Sequence, residues 1–100
     1  MTAPASVTRT LLLIEALAGN VLEGLRLGTL AQTVQQSPST TLRDLQALEF
    51  LGYAERIPGR EDCWRLTSRL CRIANAHREE MARHRSRLDN IDRNYTLPPN

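Results

Sequence analysis

Residues Leu25–Arg56 read LRLGTLAQTVQQSPSTTLRDLQALEFLGYAER, and the order of apolar residues, turn formers and caps in this stretch decides the fold. Leu27, Leu30, Ala31 and Val34 fall on one side of a short helix, with the small Ala31 where a second helix has to cross closely. Gln35 and Gln36 interrupt that pattern. Ser37 is a good N-cap, because its hydroxyl can accept from an orphan backbone N–H, and Pro38 suits the first helical position, where its missing N–H had no intrahelical partner to lose. A new helix therefore starts at Ser37. Its apolar stripe is Leu45, Leu48 and Leu51, extended by Thr41 or Leu42, while a wheel at the helical period puts Ser39, Thr40, Arg43, Ala47 and Phe50 on the opposite side. Near its N-terminus the outer face is thus hydroxyls and a guanidinium, groups that hydrogen-bond phosphates and base edges.

Working outward, Leu51-Gly52-Tyr53 ends this helix, with Gly52 supplying a left-handed cap. Tyr53 to Ile57 alternates as a strand does, Pro58 to Asp62 is a turn by composition, and Cys63 to Leu66 alternates again. The result is a hairpin with Arg60 at its tip and Arg65 on its return strand. Toward the N-terminus, Ser6 opens a helix in which Val7, Leu11, Ile14 and Leu17 recur at helical spacing before Gly19-Asn20 stops it. Leu11 to Ile14 is apolar on more than one side, which predicts a helix deep in the core. Leu25 and Leu27 predict a short strand leading into the central stretch. The chain is therefore expected to be mainly α with a small β-hairpin: a winged helix-turn-helix followed by a long C-terminal helix.

This order, with Ser6, Arg9, Leu12 to Leu17, Leu30-Ala31, Ser39-Thr40, Arg43 and Leu51-Gly52-Tyr53 in register, resembles the N-terminal domain of IclR-type transcriptional regulators over roughly Ser6 to Leu70. The resemblance implies a winged helix-turn-helix that binds double-stranded DNA as a dimer, with Ser39, Thr40 and Arg43 where that family's recognition helix touches DNA. Two positions depart from the family pattern. Gln35 stands where a glycine usually makes the turn, and Asp44 where an apolar residue is usual, which bears on the angle of the recognition helix. Regulators of this type continue into an effector-binding domain, and metabolite sensing is not carried over to these residues.

One hundred residues are enough for a single small domain with an appendage, and an apolar content of 41% is that of a globular chain. No apolar run approaches the ~20 residues that span a bilayer, and the first residues carry no basic leader, so a soluble cytoplasmic protein without membrane contact is expected. All 13 basic residues are arginines. Arginine's planar fork suits phosphate and guanine, but a GC-rich genome leaves the same bias, and a net charge of +2 is too small to argue nucleic-acid binding without its distribution. Cys63 and Cys71 are expected to be reduced thiols. With His77 and His84 they form a Cys-Cys-His-His order, yet histidines seven apart on one helix are separated by roughly 10 Å, too far to share one ion. No metal, other cofactor or small-molecule effector is expected. There is no glycine-rich phosphate loop, no histidine before His77 and no cluster of carboxylates in a plausible pocket, so an enzyme is not expected either.

Thr67 can cap a last helix from about Ser68 to Asn94. Leu70, Ala74, His77, Met81, His84, Leu88, Ile91 and Tyr95 follow alternating steps of four and three, a seam that faces a partner over more than three heptads. The alternative is that Leu70, Ile73 and Ala74 pack on the hairpin and the remainder is solvated. Glu79 is placed to pair with Arg83 at i, i+4. The expected organisation is a disordered N-terminus over 1–5, a winged helix-turn-helix over 6–67, a dimerisation helix over 68–94 and a disordered tail over 95–100. The leading function is a small sequence-specific DNA-binding transcriptional regulator without an effector domain, homodimeric through its last helix. Ser37, Ser39, Thr40 and Arg43 would lie at the groove, with Arg60 and Arg65 on phosphate. The alternative is a winged-helix protein–protein interaction module, an antirepressor or assembly factor. Phe50 supports it, since it either marks contact with another surface or folds back under Leu22 or the long helix.

Overall fold

The computed structural model describes residues 1–96. Their elements run α1 (Ala5–Ala18), β1 (Leu25–Arg26), α2 (Leu27–Thr33), α3 (Pro38–Phe50), β2 (Ala54–Ile57), β3 (Arg60–Leu66) and α4 (Arg69–Thr96). The three strands form one antiparallel sheet in the order β1-β3-β2, with Leu25 opposite Trp64 and Glu55 opposite Arg65. This is a mainly helical winged helix-turn-helix with a long last helix. The chain divides into two compact units, the winged unit Met1–Arg69 and the remainder of α4 from Leu70 onward.

The core of the winged unit draws on α1, α2, α3, β2 and β3. Leu13 and Leu17 of α1, Leu30 and Ala31 of α2, Thr41, Leu45 and Leu48 of α3, and Ala54, Ile57, Cys63, Trp64 and Leu66 of the sheet are buried. Trp64, only 1% exposed, is the largest of them, and the Arg56 guanidinium covers its ring at 4.9 Å from the centroid. Gly24 makes the close approach that seats β1. Its φ is +68°, and a Cβ there would overlap the Trp64 carbonyl oxygen and the Ile57 side chain.

The helix-turn-helix is punctuated by two closures of the same kind. At the end of α3, Tyr53 N–H donates to Leu48 O (2.8 Å) and Gly52 N–H to Glu49 O (3.0 Å), with Gly52 at φ +87°. This is a Schellman motif with the expected glycine. At the end of α2, Gln36 N–H donates to Ala31 O (3.0 Å) and Gln35 N–H to Gln32 O (3.2 Å), with Gln35 at φ +56°. The second motif is the same but places a glutamine in left-handed backbone.

Several expectations are corrected. Helix α1 is not deep in the core on several sides: Leu11 and Leu12 are 55% and 43% exposed, and Val7 is exposed too. A helix laid against one side of so small a unit buries one stripe, here Leu13 and Leu17, and leaves the rest in solvent. The same helix begins at Ala5, one residue before the expected Ser6, and ends at Gly19 as expected. Leu51 lies outside the α3 stripe and is exposed, because the helix has already ended there. Of the alternatives Thr41 and Leu42, Thr41 is the fully buried one, its hydroxyl donating to Ser37 O at 3.0 Å. The hairpin turn is two residues, not five: Ile57 pairs with Arg60 across Pro58-Gly59, and Gly59 at φ +80° gives the type II signature. Arg60 to Asp62 are exposed residues of β3, and Glu61 and Asp62 fall where the register with β2 shifts between Arg56 and Ile57, so their composition mimics a turn. Helix α4 extends through Tyr95 to Thr96, beyond the expected end at Asn94. The rest of the proposed tail, residues 97–100, lies outside the described residues.

Candidate nucleic-acid interface

The start of α3 is set by its cap. Ser37 Oγ accepts from Thr40 N–H (3.2 Å), donates to Thr40 Oγ1 (3.0 Å) and lies 3.2 Å from Ser39 Oγ. Three hydroxyls thus converge on the positive end of a helix whose first residue, Pro38, offers no N–H. Because Thr40 Oγ1 accepts from Ser37, its own proton is left to donate outward. Ser39 and Arg43 are exposed, and Thr40 is half-buried. Among the described residues Arg43 takes part in no ion pair, so its five donors are directed to solvent one turn from the hydroxyls. The inner side of the same helix, Thr41, Leu45 and Leu48, is buried, which orients the outer face rigidly.

A brace that sequence reading missed holds this helix from behind. Arg9 of α1 reaches Asp44 of α3 with Nε at 2.9 Å from one carboxylate oxygen and Nη2 at 3.3 Å from the other. The hydrogen bond to Asp44 raises the Arg9 pKa above its ordinary value, desolvation works against it, and the Coulomb attraction adds to the rise. Asp44, unusual in an apolar place, is therefore a partnered carboxylate turned to α1 and away from the exposed side that carries Ser39 and Arg43. The signal in the sequence was an opposite-charge pair 35 residues apart, which no local periodicity links.

The wing presents its arginines unequally. Arg60 is exposed at the start of β3 beside the turn. Arg65 is half-buried, its Nε donating to Glu55 at 2.9 Å across the β2–β3 pair. Arg26 of β1 lies 3.5 Å from Asp62, both largely exposed. Phe50, at the last turn of α3, is 90% exposed and does not fold back under Leu22, itself exposed. Thr67 joins the wing to α4: its hydroxyl donates to Gly52 O (2.6 Å) and accepts from Arg69 N–H (3.3 Å), and the Arg69 guanidinium stacks on Tyr53 at 5.2 Å.

In α4 beyond Leu70 every described residue is exposed, the seam residues Ala74, His77, Met81, His84, Leu88 and Ile91 among them, and Leu70 is half-buried. The Glu79–Arg83 pair is not formed; Glu80 lies 3.7 Å from His84 instead. Both spacings are i, i+4, and on a solvated face the rotamer chosen carries little energy. Cys63 is a buried free thiol and Cys71 an exposed one. No helix of the described residues is long and apolar enough to cross a membrane.

Comparison with known proteins agrees with this geometry. The Zalpha domain of PKZ from Carassius auratus, solved in complex with Z-DNA, superimposes with a TM-score of 0.57 at 20% identity, covering 64% of this chain and all of that one. At that identity the similarity shows a shared winged-helix fold. No curated protein matches the chain. The IclR helix-turn-helix domain matches residues 6–58, from the first turn of α1 to the tip of the wing. With more than half of its residues in that match, the chain belongs to the IclR helix-turn-helix family, whose fold is that of DNA-binding regulators.

Proposed function

We propose that this protein is a sequence-specific transcriptional regulator that binds double-stranded DNA as a dimer. Helix α3 enters the major groove with Ser39, Thr40 and Arg43, while Ser37 holds the hydroxyl cluster in place and also approaches phosphate. Arg60 lies along the backbone, and Arg65 contributes through the terminal nitrogens that Glu55 leaves free. Residues 6–67 form the reading domain and the seam of α4 joins two copies. The observation that carries this reading is the exposed Arg43, without an ion-pair partner among the described residues, beside hydroxyls fixed at the N-terminus of a helix whose other side is buried. Selection of bound sequences from a randomised duplex pool tests it. A palindrome with half-sites one helical turn apart, about 34 Å, is the expected result.

The second reading, a winged-helix module that binds protein, rests on Phe50, almost fully exposed beside the partly uncovered Leu51. Binding to random duplex at low salt separates the two. A steep fall of affinity with salt supports DNA; a flat or absent response, with no sequence enriched in the selection, overturns the DNA reading in favour of the protein module.

A further inference from the structure

The seam of α4 runs through an uninterrupted helix of 28 residues, about 42 Å at 1.5 Å per residue. Its steps of four and three place Ala74, Met81, Leu88 and Tyr95 at one core position of a heptad repeat and Leu70, His77, His84 and Ile91 at the other. Met81, Leu88 and Ile91 are uncovered in the single chain. The positions flanking the core are then Ile73, Glu80, Arg87 and Asn94 on one side, and Cys71, Arg78, Arg85 and Asp92 on the other.

Those flanking charges discriminate between two ways of pairing a second copy. In a parallel two-stranded coiled coil each residue of the first set meets the residue five positions further along in the other copy. Glu80 then meets Arg85, and Arg87 meets Asp92, each twice by symmetry, with no like-charge encounter. In an antiparallel pair that keeps the same seam overlapped, members of one set meet each other. Glu80 still meets Arg87, but Arg78 then faces Arg85 of the other copy, a repulsion that also occurs twice.

We infer that α4 is a parallel coiled-coil surface whose occupant is a second copy of this chain, held in register by Glu80–Arg85 and Arg87–Asp92 pairs between copies. The inference rests on the proposed dimer and adds its direction and register. Both winged units then emerge from the same end of the coil.

The test uses the full chain carrying Cys71→Ser, so that the exposed native thiol does not interfere. Leu88→Cys in that background should form an interchain disulfide under mild oxidation, because in a parallel coil position 88 faces itself, whereas in the antiparallel pair it faces position 77. Glu80→Arg should weaken the dimer roughly three- to tenfold by sedimentation, since two attractive encounters become repulsive. Adding Arg85→Glu should restore it. A dimer that Leu88→Cys does not cross-link, or whose Glu80→Arg variant is rescued by Arg87→Glu, which in the parallel register would only set a second carboxylate against Asp92, overturns the parallel register while leaving the dimer standing. A protein that stays monomeric in every case overturns both, and a duplex selection yielding a single half-site would then still report DNA binding.

Discussion

Gln35 holds a backbone conformation that costs an L-residue roughly 1–2 kcal/mol, at the position of a Schellman motif where glycine carries no such penalty. Gln35→Gly should therefore stabilise the winged unit by up to about 1 kcal/mol once the added flexibility of the unfolded chain is subtracted, read as a rise in the denaturant midpoint at constant m. A lower midpoint would show that the glutamine side chain supplies something that its backbone strain conceals. Arg43 obeys the opposite logic, since it is exposed and supports nothing within the fold. Arg43→Ala should leave thermal stability within about 0.5 kcal/mol and cost roughly 1–3 kcal/mol of affinity for the selected site, with relaxed preference at one base position. Unchanged affinity and preference would remove Arg43 from the groove.

At the scale of elements, the wing and the recognition helix differ in how much charge they leave free. Arg60 has no ion-pair partner among the described residues, whereas Arg65 is engaged by Glu55 across the hairpin. Arg60→Ala should weaken specific and random duplex alike and lower the slope of log affinity against log salt by about one unit, since one phosphate fewer is neutralised. Arg65→Ala should lower it by less, because Glu55 already neutralises part of that charge and is released by the change. A weakening confined to the specific sequence would mean that the wing reads bases. The Arg9–Asp44 brace belongs to this scale as well: it ties α1 to α3, so the reading helix is held by a directional ion pair as well as by its apolar stripe.

For the whole molecule, the division at Arg69 separates the proposed reading unit from the proposed pairing helix. Residues Leu13 to Leu66 supply the winged core, and none of the exposed seam residues contributes to it. Replacing Met81 and Leu88 together by Glu should thus give a folded monomer whose winged unit melts as before, as circular dichroism and sedimentation would show, but which binds a palindrome at least about tenfold more weakly for want of the second half-site. A double variant that remains dimeric would place the interface elsewhere than the α4 seam.

Element order, the cap at Ser37-Pro38, the glycine closure at Gly52, the hairpin and the long helix were all legible in the chain, because each depends on neighbours within a few positions and on periodicities that the sequence displays directly. The outward face of α3 was legible for the same reason: once the buried stripe is known, the opposite side follows from about 3.6 residues per turn. Three features were not. Which residues of the apolar run Leu11 to Ile14 in α1 are buried depended on where the rest of the small unit lies, so Leu13 and Leu17 go inside and Leu11 and Leu12 do not. That Asp44 is a brace, and Arg65 a partnered group, depended on side chains 35 and 10 residues away that come within reach only when helices and strands are packed. The turn at Pro58-Gly59 was shorter than its polar composition implied, because the exposed residues Arg60 to Asp62 that follow it are polar whether they bend or extend. Local chemistry determined the elements and the face they leave exposed, while the free or committed state of each charge on that face was decided by tertiary packing, which alone brings distant groups within hydrogen-bonding reach.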